Sequence, residues 1–352
     1  MSPGGGSVLR MPTSVIAERL GAQLLSGPPA RDAVAVADRL LAVQAQDARG
    51  IRLAVRARTR GLATSDVDAA LADASLVISW LNRGTLHLVR AEDYPWLQML
   101  TTPQLATGNA RRLMQEGVLP ERAARGVAAI ERALAKEGPL TRSQLKDRID
   151  SAGVRTQGQA LVHLLLAAAL RGITVRGPMV GTDQAFVLVR DWLPSPPPID
   201  RDAALVELAR RFLRGHGPAD DRDLARWAGL ALRDARSGLN GVKRVRERPD
   251  GLLELSGQPK DVPVLSPPRL LGAFDPLLLG WVDREPIVGV HRSLVTDNGV
   301  FRPFALVRGR AVATWRIGRG GVELAPFEPL GKGVRRAIER NGADVLRFLT
   351  MD

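Results

Sequence analysis

Apolar residues recur at helical spacing over most of this chain, interrupted by short runs that alternate in polarity. Ser14 to Leu25 and Asp32 to Val43 read as two helices. In the second, Val36, Leu40 and Val43 form one stripe, with Ala37 and Leu41 beside it. Gln44 continues the Ala37–Leu41 row, whereas Gln46 would point nearly the opposite way if the helix ran on. The two glutamines converge only if the helix ends near Val43 and the chain becomes extended. Another helix is expected to run to Arg60.

Behind this stretch lie three imperfect copies of one pattern. The first starts at Gly61, with a helix Asp66 to Ala72 capped by Thr64 or Ser65 and a second helix Ser75 to Leu81. The run Arg83 to Val89 follows as a strand, with Leu86 and Leu88 on one face and Arg83, Thr85 and His87 on the other. Helical stretches Pro95 to Gln115 and Pro120 to Lys136 lead to the second copy. There Gly138-Pro139 precedes Thr141, a helix cap with Gln144 placed three on as in a capping box. A helix Gln157 to Leu170 and a hairpin around Gly177-Pro178 complete it. Pro194-Ser195-Pro196-Pro197-Pro198 is expected to be a stiff linker.

The third copy opens on Gly217-Pro218, has its second helix at Ala231 to Asn240, and turns its hairpin at Pro249-Asp250-Gly251. A capped helix, a second helix and a β-hairpin are the grammar of a winged helix. The last portion differs: a hairpin of Arg302 to Val307 with Ala311 to Ile317, a strand Val322 to Pro326, and a closing helix Gly333 to Leu349. The expected fold is α+β, mainly α, with three tandem winged-helix units and a C-terminal β-rich subdomain. The expected divisions are 10–130 (with the glutamine pair and first unit), 131–193, 199–260 and 261–352.

Charge sharpens this picture. The 352 residues carry a net charge of +13, and 45 of the 50 basic residues are arginine. GC-rich coding accounts for arginine over lysine but not for the failure of acids to balance it. Such a surface favours a polyanion, and the guanidinium fork suits phosphate and guanine edges. The chain lacks cysteine, which excludes disulfides, thiol nucleophiles and cysteine-ligated metals. The longest apolar run, Ala160 to Leu170, is too short to span a membrane. Met1 to Leu9 has neither the basic nor the apolar segment of a secretory signal. A cytoplasmic monomer is expected.

Chemistry is narrowed by elimination. His87, His163, His216 and His291 have no metal-ligand spacing, and His163 and His216 read as structural. Neither a phosphate-binding loop nor a serine nucleophile elbow occurs. Gln44 and Gln46 remain. Glutamine is neither a strong base nor a nucleophile, but its carboxamide can orient water and hydrogen-bond a charged group. That is adequate where the substrate arrives activated, as an N7-alkylated guanine does: the base is cationic and leaves neutral. Asp47 is either a source of negative charge and base or a helix cap.

Val43-Gln44-Ala45-Gln46-Asp47 resembles the Gln-Φ-Gln motif of the bacterial winged-helix DNA glycosylases of the AlkZ type, which remove N7-alkylpurines and unhook interstrand crosslinks. Trp80-Leu81-Asn82-Arg83-Gly84-Thr85-Leu86-His87-Leu88-Val89 looks like that family's first wing. Phe274-Asp275, with Leu278, Leu279 and Arg284, looks like its C-terminal signature. The resemblance spans roughly residues 10 to 350. A sister branch has Asp at the second glutamine, so Gln46 places this chain on the AlkZ side, while Ala45 is smaller than the usual aliphatic residue.

The resemblance implies three winged helices in a C-shaped cleft and catalysis by Gln44 and Gln46 without cofactor or metal. The implied partner is double-stranded DNA carrying alkylated or crosslinked guanine. Arg49, Arg52 and Arg83 are candidates for phosphate contacts, with Thr85 beside them. His87 either reaches DNA from the wing or bonds to nearby backbone. Asp275 and Arg284 are either an ion pair shaping the cleft or packing residues. A winged-helix regulator and a non-catalytic DNA binder are the rival readings, distinguished by the absence of base release.

Overall fold

A computed structural model describes residues 13–194, 198–257, 267–296 and 299–350. Ser195, Pro196 and Pro197 of the expected linker, and the stretch Met1 to Leu9, lie outside the described residues.

The chain begins with α1 (Thr13–Ala22), α2 (Ala33–Leu40), β1 (Val43–Gln44), α3 (Ala48–Arg56), α4 (Thr64–Ala72), β2 (Leu76–Leu81) and β3 (Thr85–Arg90). Asp32 caps α2 by accepting from the Ala35 amide. The helix ends at Leu40, three residues before the expected end. Leu41 has φ +64°, and the Ala42 amide donates to the Leu40 carbonyl at 2.8 Å, closing a γ-turn of the rare positive-φ kind. Such a backbone costs about 1–3 kcal/mol and persists where the surroundings over-determine it; Leu41 is fully buried. The chain then runs extended, and β1 pairs antiparallel with β3, Val43 opposite Leu88 and Gln44 opposite His87.

The expected helix Ser75 to Leu81 is instead the strand β2, buried at every position. A continuous apolar run has no period by which strand and buried helix can be told apart, and Val77, Ile78 and Trp80 favour the pleated surface. The first winged unit therefore starts one element earlier, as α2, β1, α3, α4 and the β2–β3 hairpin.

Two helices, α5 (Tyr94–Thr101) and α6 (Ala106–Gln115), replace the single one expected over 95–115; the break falls at Pro103, which has no N–H to continue α5. The second unit comprises α7 (Pro120–Glu137), α8 (Arg142–Ser151), α9 (Ala160–Leu170), β4 (Thr174–Val180) and β5 (Asp183–Leu188). The Thr141–Gln144 capping box forms in both directions. The hairpin turns at Gly181-Thr182, beyond the expected Gly177-Pro178. Pro178 sits where the ladder register shifts between Arg176 and Met179.

The short α10 (Val189–Trp192) precedes the third unit: α11 (Arg201–His216), α12 (Asp221–Ala228), α13 (Leu232–Gly241), β6 (Val245–Glu247) and β7 (Leu253–Leu255). In each unit the residue stretch before the second helix bridges to the second wing strand: Gln44 to His87, Leu140 to Phe186, Ala219 to Leu253.

Strand order β1-β3-β2-β4-β5 joins the first two wings into one sheet, while β6–β7 stands apart. At the seam Ile78 bridges Arg176, whose guanidinium lies 4.9 Å from the Trp80 ring and 5.0 Å from Phe186. The C-terminal sheet, ordered β11-β10-β9-β8, is built from β8 (Arg269–Leu271), β9 (Phe304–Val307), β10 (Arg310–Gly318) and β11 (Gly321–Pro326). A short α14 (Glu285–Val288) lies between β8 and β9, and α15 (Lys332–Thr350) packs across β8 and β11.

Candidate active site

The γ-turn at Leu41 decides the geometry of the glutamines. Because the chain is extended through β1, residues 44 and 46 emerge on the same side, where a continued helix would have separated them. The Gln44 side chain is buried and donates its amide to the Gln46 carbonyl oxygen. Gln46 itself is exposed. Both line a cavity of about 360 Å³ together with Arg83, Thr85, Arg226, Leu279, Arg284, Val295, Thr296, Gly299 and Phe301. The first unit, α12 of the third unit and the C-terminal portion thus all contribute walls.

Arg83 ties these parts together. One terminal nitrogen donates to the Gln44 carbonyl oxygen at 3.1 Å; the other donates to the Trp227 carbonyl and, at 3.3 Å, to that of Arg226. These are last-turn carbonyls of α12, so the guanidinium also meets the negative end of that helix dipole. Gly229, with φ +70°, permits the approach: a Cβ there would lie 2.8 Å from the Arg83 amide nitrogen. Burial, followed by the nearby Arg226 and Arg284, lowers the Arg83 pKa to about 10, which still leaves it cationic at neutral pH. A hydrogen-bond chain runs from α12 carbonyls through Arg83 and Gln44 to Gln46. It fixes the Gln44 carboxamide and leaves the Gln46 amide hydrogens free.

Several expected roles are revised. Arg83 lines the cavity, but its guanidinium is engaged by α12 and Gln44, so it is a positioning residue and not an open phosphate contact. Arg52 is paired with Asp68 and donates to the Ala48 carbonyl at 2.9 Å, which removes it as a free cation. Arg49 is exposed and has no ion pair or side-chain hydrogen bond among the described residues. Asp47 is the N-cap of α3, accepting from the Gly50 amide, and lies outside the cavity lining. Thr85 lines the cavity with its hydroxyl unpartnered among the described residues.

His87 does not reach outward. It is 1% exposed, on a strand flanked in its sheet by β1 and β2, and its Nδ1 donates to the Thr85 carbonyl at 2.9 Å. Burial, then the nearby Arg83, push its pKa down to about 3. The face alternation of the strand was readable, but not the extra strand beside it.

Asp275 does not pair with Arg284 either. It makes a two-pronged bridge to Arg58, both contacts 2.9 Å and both side chains fully buried. Arg58 also donates to the Gln23 and Ala54 carbonyls at 2.9 Å, so the bridge fastens the Phe274-Asp275-Pro276 segment to α3 and α1. Arg284 donates to the Leu278 carbonyl at 2.6 Å, and its guanidinium lies 5.2 Å from the Phe301 ring. Arg58 and Arg226 were not distinguishable in sequence from other arginines; Arg58 lies fourteen positions from Gln44 with no local signal of its distant partner.

Among the described residues, no group of three or more His, Asp or Glu side chains is close enough to hold a metal ion. No helix among them is long and apolar enough to cross a membrane. His163 bonds through Nδ1 to Asn109 Oδ1 at 2.7 Å, and His216 is buried against Phe212, Trp227 and Trp281.

The whole chain resembles known proteins. It is 28% identical to an interstrand DNA cross-link repair glycosylase of Streptomyces sahachiroi, with 95% of each chain covered. The solved structure of Streptomyces sahachiroi DNA glycosylase AlkZ superposes with a TM-score of 0.76 at 25% identity, covering 96% of both chains. The model for the family described as DNA glycosylase AlkZ-like matches residues 37–348, which takes in the glutamine pair, the first winged unit from the middle of α2, the other two units and the C-terminal sheet. This chain belongs to the AlkZ-like DNA glycosylase family.

Proposed function

We propose that this DNA glycosylase cleaves the N-glycosidic bond of N7-alkylguanine nucleotides in duplex DNA, including guanines held in an interstrand crosslink. The observation that carries the reading is a cavity in which Gln44 and Gln46 are hydrogen-bonded to one another while no described lining residue is a carboxylate. Such a site offers neither a strong base nor an acid to activate a leaving group. A substrate that is already cationic needs neither. Departure of the base takes the N9–C1′ electron pair and gives a neutral N7-alkylguanine. Water adds its oxygen to C1′, and its proton passes to solvent.

Gln46 orients that water through its free amide hydrogens and the second lone pair of its carbonyl. Gln44, held by Arg83, sets the position of Gln46. Exposure of Gln46 at the cavity mouth supports a mode in which the base stays stacked and only its sugar meets the glutamines, which suits an adduct too bulky to be extruded. The similarity to a cross-link repair glycosylase points the same way.

Release of N7-methylguanine from a duplex oligonucleotide, and unhooking of a duplex crosslinked through guanine N7, test the reading. Gln44→Ala and Gln46→Ala are each expected to slow release by about 100–1000-fold, the loss typical of one preorganised polar group. Wild-type rates in both variants would remove the site.

A further inference from the structure

Three guanidiniums converge on the glutamine cavity, and none is paired with a carboxylate among the described residues lining it. Arg226 projects from α12 with an exposed side chain that makes no ion pair or hydrogen bond among the described residues; only its backbone carbonyl is used, by Arg83. Arg284 uses Nε on the Leu278 carbonyl, which leaves its terminal nitrogens unassigned. Its sequence neighbour Asp283 is not among the described lining residues and accepts from the Glu285 amide at 2.9 Å. Arg83 is the third. No Asp or Glu is among the described residues lining the cavity.

The like charges are felt: after burial, Arg226 is the next cause that lowers the pKa of both Arg83 and Arg284. Uncompensated cations grouped around polar side chains in one concave site favour an anion. The DNA backbone supplies one anion class, the phosphodiester, which suits the guanidinium fork.

We propose that Arg226 and Arg284, with Arg83 behind them, form a phosphate site that grips the backbone phosphodiester adjoining the nucleotide under attack. The inference deepens the glycosylase reading and rests on it for the identity of that nucleotide. It has two chemical consequences. A cationic base is repelled by the same three charges, so the adduct lies on the far side of the sugar from the cavity. The gripped phosphate then supplies negative charge next to C1′ as it gains oxocarbenium character, where the described lining residues offer no carboxylate.

Binding and base release separate the inference from the reading beneath it. The binding ligand is a duplex with a tetrahydrofuran abasic analogue, measured by anisotropy across a salt series with the full-length protein. Arg226→Ala, at an exposed side chain, is expected to reduce the slope of log affinity against log salt by about one phosphate contact. Arg226→Lys should keep most of that slope. A single methylphosphonate is then moved through the positions flanking the analogue. At one flanking position it should weaken wild-type binding, and the penalty should disappear in Arg226→Ala.

If Arg226→Ala keeps the wild-type slope and responds to every methylphosphonate as wild type does, the phosphate site is wrong, whether or not the wild type releases a base. Absence of release from every alkylated duplex would instead sink the N7-alkylguanine reading.

Discussion

The first winged unit and its two successors make the same strand-to-cap connection, and in the first that connection is one residue longer. In the second unit, the Leu140 amide donates to the wing strand at Phe186, and the very next residue, Thr141, caps the following helix. The third repeats this with Ala219, bonded to Leu253, and the cap Asp220. In the first, Ala45 donates to Leu86, but the cap is Asp47 and Gln46 is interposed. The partner of Ala45 on the wing strand is Leu86, where the other units have Phe186 and Leu253. The longer connection places carboxamides on either side of Ala45, the residue that donates to the wing strand.

Removing the difference should have the largest effect. Deletion of Gln46 gives the first unit the connection length of the others. The fold should persist by circular dichroism, while base release drops by at least about 100–1000-fold. Retained activity would show that the interposed residue is dispensable.

Next comes the link to α12. Arg83→Ala should lower the single-turnover rate about 10–100-fold at saturating enzyme with little change in duplex affinity, because it frees the Gln44 carboxamide without removing an open phosphate contact. Arg83→Lys, which can reach one partner but not both, should fall between. A loss confined to affinity would reassign Arg83 to DNA binding.

The titratable partner strand gives a third contrast. His87 has a folded pKa of about 3 against an ordinary 6.5. Above pH 7 it is neutral in both folded and unfolded chains and adds no pH dependence. As pH falls below about 6.5, the unfolded chain takes up a proton that the folded chain refuses. Stability therefore declines by up to about 1.4 kcal/mol per pH unit until about pH 3. His216, also lowered to about 3, adds a similar slope. Denaturant midpoints between pH 7 and 5 should fall, and His87→Phe should flatten that fall by about half. An unchanged slope in the variant would contradict the burial of His87.

The smallest effect concerns the caps. Asp47→Ala and Thr141→Ala should each destabilise by about 1 kcal/mol. Only Asp47→Ala should also slow base release, since it loosens the residue that follows Gln46. Equal activity losses would mean that the two connections are functionally alike.

Much of this is legible in the residues. The helix–helix–hairpin grammar, the Thr141–Gln144 box and the C-terminal hairpin follow from local rules of capping, period and turn chemistry. So does the condition that the glutamines meet only on an extended chain. What local rules do not contain are distant partners. Nothing near Asp275 marks Arg58, and nothing in the alternating Arg83–Val89 run reveals that a two-residue strand from another segment pairs with it opposite His87. The run Leu76 to Leu81 reads as a helix in sequence because its interior position in a shared sheet erases the polar phase that identifies a strand.

That shared sheet bears on how the molecule comes apart. With β2 and β4 hydrogen-bonded across the Ile78–Arg176 seam, neither wing can peel away without opening a sheet edge on the other. Segments 33–90 and 120–188 are therefore expected to exchange as one cooperative block. The part of the molecule that carries the glutamines is thus one continuous hydrogen-bonded sheet, and α12 is held beside it by Arg83 and by the buried Arg19–Asp223 pair.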